Sequence, residues 1–420
     1  MHEETWYARR LLFADNPYWR LLRSNRDFRR LYFAQLVSFG GDWFLVVPLL
    51  GLVYEITDSK LATAAVWAAQ LLPNLLLSPF AGAVSDRFDR KRIMIAADLV
   101  RAAACVGLIF VDDLRSPALA YALGGVIGIG TAFFYPNPSA ALPNLVASED
   151  LGPANVLLGS AWGTMAAVGA ALGGAFAAAL GRDASFLVDG GSFVASALLI
   201  LAIRRRFSES RSSNPPAVGE SARETVRYAR EHPEVMALLT SKAGFGISSG
   251  AIVLLPVFAQ DVFHAGDAGT GWLFAARGVG ALAGPFLFRQ LFGRSDRTLM
   301  RSIWFAIAIW GALYVALPFS PTIPIAALVV AIAHLGGGAQ WMLSSYGLQR
   351  TTPDAIRGRI FAADLGLVTG TSVVSFAAAG ALADAFGVEV VLAGAGLFGL
   401  GFSLLWGRAT SKYWNAPSLG

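Results

Sequence analysis

Residues 81–92 read AGAVSDRFDRKR: Asp86, Arg87, Asp89, Arg90, Lys91 and Arg92 put six charges into seven positions. On either side lie apolar runs, near 61–85 and 92–112. Each is long enough to cross a bilayer, which takes roughly 20 residues of helix. A connector between two such runs sits at the membrane surface, and Lys and Arg concentrate on connectors that face the cytoplasm. The stretch is therefore first a topology signal.

The rest of the chain has the same character. Of 420 residues, 55% are hydrophobic and 15% charged, where soluble domains carry about a quarter charged residues. The composition points to an all-α membrane protein with the lipid bilayer as its surroundings. The net charge of +5 gives no reason to expect nucleic acid as a partner. The one cysteine, Cys105, lies in an apolar run, and His2, His232, His264 and His334 are far apart in sequence. No disulfide, metal site or cofactor is expected from them. The first 30 residues hold seven arginines and no apolar core ending in a cleavage site. They read as a cytoplasmic arm, with WYARRLLF and YWRLLRSNRDFRRLYF as amphipathic segments on the lipid surface.

Twelve apolar runs are long enough to span: 31–54, 61–85, 92–112, 116–135, 153–181, 184–203, 236–260, 268–290, 299–319, 321–346, 357–384 and 388–407. An even count puts both termini on one side. If the connectors on that side are grouped, they hold every Lys and Arg except Lys60, Arg115 and Arg182 opposite and Arg101, Lys242 and Arg277 inside spans. That asymmetry makes the termini cytoplasmic in a multi-pass plasma-membrane protein. The expected organisation is a cytoplasmic arm (1–30), a six-helix bundle (31–203), a polar cytoplasmic linker (204–235), a second six-helix bundle (236–407) and a tail (408–420). Within the linker, SARETVRYAREH reads as a surface helix capped by Ser221, with Glu224 three residues on.

The two halves repeat. ALPNLVASEDLGPANVLLGSAWGTMAAVGAALGGAFAAALG (141–181) and LQRTTPDAIRGRIFAADLGLVTGTSVVSFAAAGALADAFG (348–387) each run from an acidic turn through a small-residue helix to a terminal glycine. Gly174 aligns with Gly380 and Gly181 with Gly387. Parallel six-span repeats are a transporter architecture, with the substrate between the halves near mid-depth. Glycines also recur four apart, at Gly124 and Gly128, Gly169 and Gly173, Gly246 and Gly250, and Gly280 and Gly284. Such faces let helices approach closely in lipid.

With spans and repeat in place, Gly82-Ala-Val-Ser-Asp86-Arg87-Phe-Asp-Arg90-Lys91-Arg92 resembles the G-x-x-x-D-R-x-G-R-R/K signature of the major facilitator superfamily, between spans two and three. Asp89 stands where the signature has Gly. SFGGDWF (38–44), LPNLLLSPFAGAVSDRFDRKR (72–92), ADLVRA (97–102) and TPDAIRGRIFA (352–362) are similar to the twelve-span drug and siderophore exporters, among them macrolide efflux proteins and the enterobactin exporter. The proline of the exporter signature in span five is missing from Gly169-Ala-Ala-Leu-Gly173-Gly174. The resemblance implies a monomeric transporter of two pseudo-symmetric bundles. It also implies that Gly82, Asp86, Arg87, Arg90 and Lys91 form a gate, with Asp86 against the start of span eleven near Arg357 and Arg359. The second half keeps a reduced copy, Gly293-Arg294-Ser-Asp296-Arg297.

Ionisable groups at span depth are costly and are functional candidates. Asp42 lies midway along span one, on one stripe with Gln35 and Ser38. Spans one, four, seven and ten line the cavity in the family this chain resembles. Lys242 begins a stripe in span seven, within reach of the surface by snorkelling. Arg277 lies deep in span eight and calls for an acidic partner, with Asp364, Asp42 and Asp189 as candidates. Asp98 and Arg101, three apart, read as a structural pair. His334 and Gln340 in span ten are further cavity candidates. Phe133, Phe134 and Tyr135 read as an interfacial belt.

The function these features imply is secondary active export of amphipathic small molecules by rocking of the two bundles, with protons as coupling ion and Asp42 binding either a proton or a cationic substrate. A nutrient importer and a non-transporting receptor of the same fold are the alternatives. No phosphate-binding loop, catalytic triad or carboxylate pair appears, so neither an ATP-driven pump nor an enzyme is expected.

Overall fold

In lipid only helices and closed barrels satisfy the backbone internally, and this chain uses helices. The computed structural model describes residues 16–113, 115–207, 218–292 and 298–413, and the backbone alone at Gly82, Asp86 and Asp354, among others. WYARRLLF and Gly293–Arg297 lie outside the described residues. Span one is Arg26–Thr57, two Lys60–Arg87, three Arg90–Asp113, four Pro117–Phe134, five Leu151–Leu180 and six Arg182–Leu201. Span seven comes in three helical pieces, Pro233–Ser248, Gly250–Val253 and Leu255–Asp261. Eight is Gly266–Phe292, nine Leu299–Ala316, ten Ile323–Thr351, eleven Asp354–Phe386 and twelve Val388–Thr410. Among the described residues, twelve helices are long and apolar enough to cross a membrane.

Two local readings change. The amphipathic segment at 18–33 breaks at Asn25, whose side chain accepts from the Phe28 N–H and caps span one, so the span begins at Arg26. Only Pro17–Ser24 remains as a separate helix, capped by Asn16 and held to the bundle through buried Leu21 and an Arg20–Asp150 pair. In the linker the chain is already helical from Val218, so Ser221 lies inside that helix rather than capping it.

The packing is the same in both halves. Span one lies on five, two on four, three on four and six; seven lies on eleven, eight on ten, nine on ten and twelve. The glycine pairs make these contacts. A Cβ on Gly173 would meet the Phe44 carbonyl at 2.2 Å, on Gly128 the Gln70 carbonyl at 2.1 Å, on Gly250 the Ser375 carbonyl at 2.6 Å and on Gly284 the Leu335 carbonyl at 2.0 Å. Because lipid removes the hydrophobic drive between helices, close backbone packing of this kind does the holding.

The halves meet through span five on eight and span eleven on two. Here the repeat is visible atom by atom. A Cβ on Gly174 would lie 2.6 Å from the Gly271 Cα, and one on Gly380 would lie 2.7 Å from the Leu61 Cα. Gly181 and Gly387 end their spans with φ of 86° and 88°, a region open to glycine. These contacts lie toward the end of the molecule away from the termini, called distal below. On the same two spans, nearer the opposite end, Cβ atoms on Gly152, Gly159, Gly358, Gly366 and Gly370 would meet nothing within 4 Å.

Span seven is broken at Ser249 and Leu254. Span eleven heals the first break. The Ser375 hydroxyl donates to the Ile247 carbonyl at 2.5 Å and accepts from the Gly250 N–H at 2.9 Å. A neighbouring helix thus supplies the bonds the break removes.

Candidate functional site: charges between and within the two bundles

Arg101, fully buried on span three, is the hub of the first half. One turn back it pairs with Asp98. Its Nη1 lies 3.3 Å from an Asp42 oxygen and its Nη2 donates to Ser38 Oγ at 2.8 Å. The guanidinium lies 4.2 Å from the Phe193 ring centre and 4.7 Å from that of Phe134. Phe134, read as a belt residue, is therefore a wall of this site. Gln35 donates to the Leu158 carbonyl on span five at 3.4 Å. The expected Asp98–Arg101 pair is present, and Asp42 and Ser38 join it.

A third carboxyl stands alongside. Asp189 Oδ1 lies 2.2 Å from the point where a Cβ on Gly41 would sit, so the missing side chain there admits it beside Asp42. The Cys105 thiol and the Ser192 hydroxyl each donate to Asp189 at 3.2 Å. Among the described residues no cation pairs with it. Three carboxyls, Asp98 and Asp189 buried and Asp42 half-buried, thus cluster near one guanidinium.

The second half has its own closed pair. Lys242 is 2% exposed, so it does not reach the surface. It pairs with Asp364 on span eleven and donates to Ser345 at 2.8 Å, 4.8 Å from the Trp341 ring centre. His334 is bonded to the Tyr314 hydroxyl at 3.0 Å, and Gln340 donates to the Ser241 carbonyl at 2.6 Å.

Arg277 pairs with none of the acids proposed for it. Asp42 is held by Arg101, Asp364 by Lys242, and Asp189 by a thiol and a hydroxyl. Its guanidinium carbon instead lies 5.2 Å from the ring centre of Trp43, in the other half, and 5.9 Å from that of Phe274. Above it the halves join through rings. Trp67 contacts Trp43 at 6.1 Å, stacks on Phe274 at 6.5 Å and meets Phe376 edge-on at 5.8 Å.

The distal ends are fastened by charges that the sequence reading left aside. Arg182 bonds Asp267 at 2.8 Å across the halves and Glu55 at 2.5 Å. Tyr54 donates to Asp261 at 2.5 Å, and Lys60 reaches the same carboxylate at 3.4 Å. Asp384, near the end of span eleven, accepts from the Lys60 and Leu61 N–H groups at 2.8 and 3.1 Å and from Ser59 Oγ at 3.1 Å. A carboxylate thus sits on the positive start of span two. The signal was available. Lys60 and Arg182 are two of only three basic residues on the basic-poor connectors.

At the other end, two basic residues of the signature bond carbonyls of their own half. Arg90 donates to the Ala140 carbonyl at 3.0 Å and Lys91 to the Leu201 and Ile203 carbonyls at 2.9 and 2.8 Å. Arg357 donates to the Thr352 carbonyl at 3.2 Å, and Arg359 pairs with Glu224 of the linker helix. Arg87 is exposed. The side chain of Asp86 lies outside the described residues, and Gly82 is described by its helical backbone alone.

Comparison with known proteins agrees with this arrangement. A family described as transmembrane secretion effector matches residues 19–415. The chain is 26% identical over 386 residues to the MFS-type transporter YfiS of Bacillus subtilis (strain 168), covering 88% of this chain and 90% of that one. It is 26% identical over 374 residues to the multidrug efflux pump Tap of Mycolicibacterium fortuitum, covering 86% and 90%. Among solved structures, a bacterial homologue of the iron transporter ferroportin in an inward-facing state has a TM-score of 0.70 at 17% identity, covering 91% of this chain and 98% of that one. Twelve spans in two matching bundles, read together with the family match over nearly the full length, place the chain in the transmembrane secretion effector family, membrane transporters of the major facilitator type.

Proposed function

We propose that the chain is a proton-coupled exporter of amphipathic small molecules that works by rocking its two bundles, with both termini cytoplasmic. In this reading the structure is the inward-facing state, its distal end being the outer one. The observation that carries it is the fastening of the distal ends. Arg182 with Asp267, Tyr54 with Asp261, and Asp384 with the start of span two bond across the halves at the distal end. Rocking would break them and open the molecule outward.

Proton coupling draws support from the charge count around Arg101. Asp42, Asp98 and Asp189 are three acids for one buried cation, and an isolated ionised carboxylate in such a place is expensive. A proton held among them, and exchanged as the bundles move, relieves that cost. Export, rather than import, draws support from the efflux pump among the relatives.

The test is accumulation of dyes, macrolides and amphipathic acids in a bacterial host stripped of its own efflux pumps. The expected outcome is that the wild type lowers accumulation of at least one compound class, and that a protonophore or Asp189→Asn abolishes the effect at equal expression. Efflux that persists unchanged with the protonophore removes proton coupling. A well-expressed protein that raises accumulation, or moves nothing, removes export.

A further inference from the structure

We infer that Arg277 anchors an anionic group of the transported molecule, which makes the cargo an amphipathic aromatic acid or zwitterion rather than a lipophilic cation. The inference deepens the transport reading and rests on it.

The acids near the interface of the halves are already engaged. Asp42 and Asp98 share Arg101, Asp364 holds Lys242, and Asp261, Asp267 and Asp384 are tied into the distal fastening. A cationic cargo would have to displace one of these built pairs or reach Asp189, which is fully buried beside Gly41 and held by Cys105 and Ser192. Arg277 is the reverse case. It lies about 16 Å below the start of span eight, from 1.5 Å per residue, and no carboxylate among the described residues pairs with it. Its Nε is shielded from solvent and has no hydrogen-bond partner. A permanent charge at that depth is costly unless something compensates it, and a guanidinium matches a carboxylate with two parallel bonds.

The surroundings fit the rest of such a molecule. Trp43, Trp67 and Phe274 are rings within reach of the guanidinium or of one another. The Trp67 indole N–H is also buried without an acceptor. Unmet donors beside aromatic faces suit a flat apolar body carrying acceptor oxygens. Because Trp43 belongs to span one and Arg277 to span eight, a carboxylate bound here is felt by both halves.

Binding tests this without transport, so failure of the export reading leaves the result readable. Purified protein in discs of zwitterionic lipid is titrated with benzoate, 1-naphthaleneacetate and 9-anthracenecarboxylate, with the primary amide of each, and with 1-naphthylmethylamine. Thermal stabilisation and tryptophan quenching are read. At least one carboxylate should bind wild type about tenfold or more tightly than its amide and than the amine, the size expected of a hydrogen bond to a charged group. Arg277→Gln should bind the acid and its amide alike. Arg277→Lys, which keeps charge but not the fork, should retain part of the preference, and amide binding unchanged in both variants reports an intact fold. A wild type that binds no carboxylate better than its amide, one that prefers the amine, or an Arg277→Gln protein that keeps the preference overturns the inference.

Discussion

At the scale of single residues, a charge in this protein is defined by its partner, and partners were the least legible feature of the sequence. Asp98 and Arg101 were readable because three positions on one helix fix their proximity. The meeting of Asp42 with Arg101, of Lys242 with Asp364, and of Asp189 with Gly41 depends on how spans three, six and eleven are turned, which no local pattern encodes. Once made, these pairs set their own energetics. Removing one partner of a buried pair costs about 3–5 kcal/mol because the other is stranded. Arg101→Gln should therefore lower the stability of the detergent-solubilised protein by about that much, seen as a drop in its unfolding midpoint. Adding Asp98→Asn, which removes one stranded acid, should recover part of the loss. Equal midpoints for wild type and Arg101→Gln would mean that the cluster is hydrated and not a buried network.

At the scale of helices, the spans were legible to within a few residues because length and apolarity are constraints that the bilayer imposes directly. What escaped is where a helix departs from regularity. Span seven reads as one continuous run at 236–260, yet it is helical in three pieces. The cause lies outside its own sequence. The Ser375 hydroxyl on span eleven takes the place of the missing intrahelical bonds at Ile247 and Gly250. Ser375→Ala should therefore cost about 1 kcal/mol, the scale of side-chain hydrogen bonds between membrane helices. It should also raise amide hydrogen exchange locally, around residues 247–250. Ser372, which accepts from the Ser249 hydroxyl at 3.0 Å, supports the same break from one turn away. If exchange at 247–250 in Ser375→Ala matches wild type, the break is held by backbone packing against Gly246 and Gly250 instead.

For the whole molecule, the sequence carried more than its weak repeat promised. Gly174 and Gly380, paired on alignment alone, turn out to occupy the two equivalent contacts between the bundles, against spans eight and two. Small residues at such points record geometry, because only the absence of a Cβ allows the backbones to touch. The same logic makes them handles on the conformational equilibrium. Valine at either position must push the opposing backbone away in the distal-closed state, an overpacking cost of about 1–3 kcal/mol. The cost falls on that state alone if the distal ends separate during rocking. A penalty of that size multiplies the open-to-closed ratio by roughly 5 to 150. Spin labels at Leu180→Cys and Phe386→Cys, in a Cys105→Ala background, place one reporter on each half at exposed distal positions. Gly174→Val and Gly380→Val should each shift the label separation toward longer distances. Gly191→Val, where a Cβ meets nothing within 4 Å, should leave it at the wild-type value. Distances unchanged by all three substitutions would mean that the halves do not part at this end, and the rocking mechanism would lose its hinge.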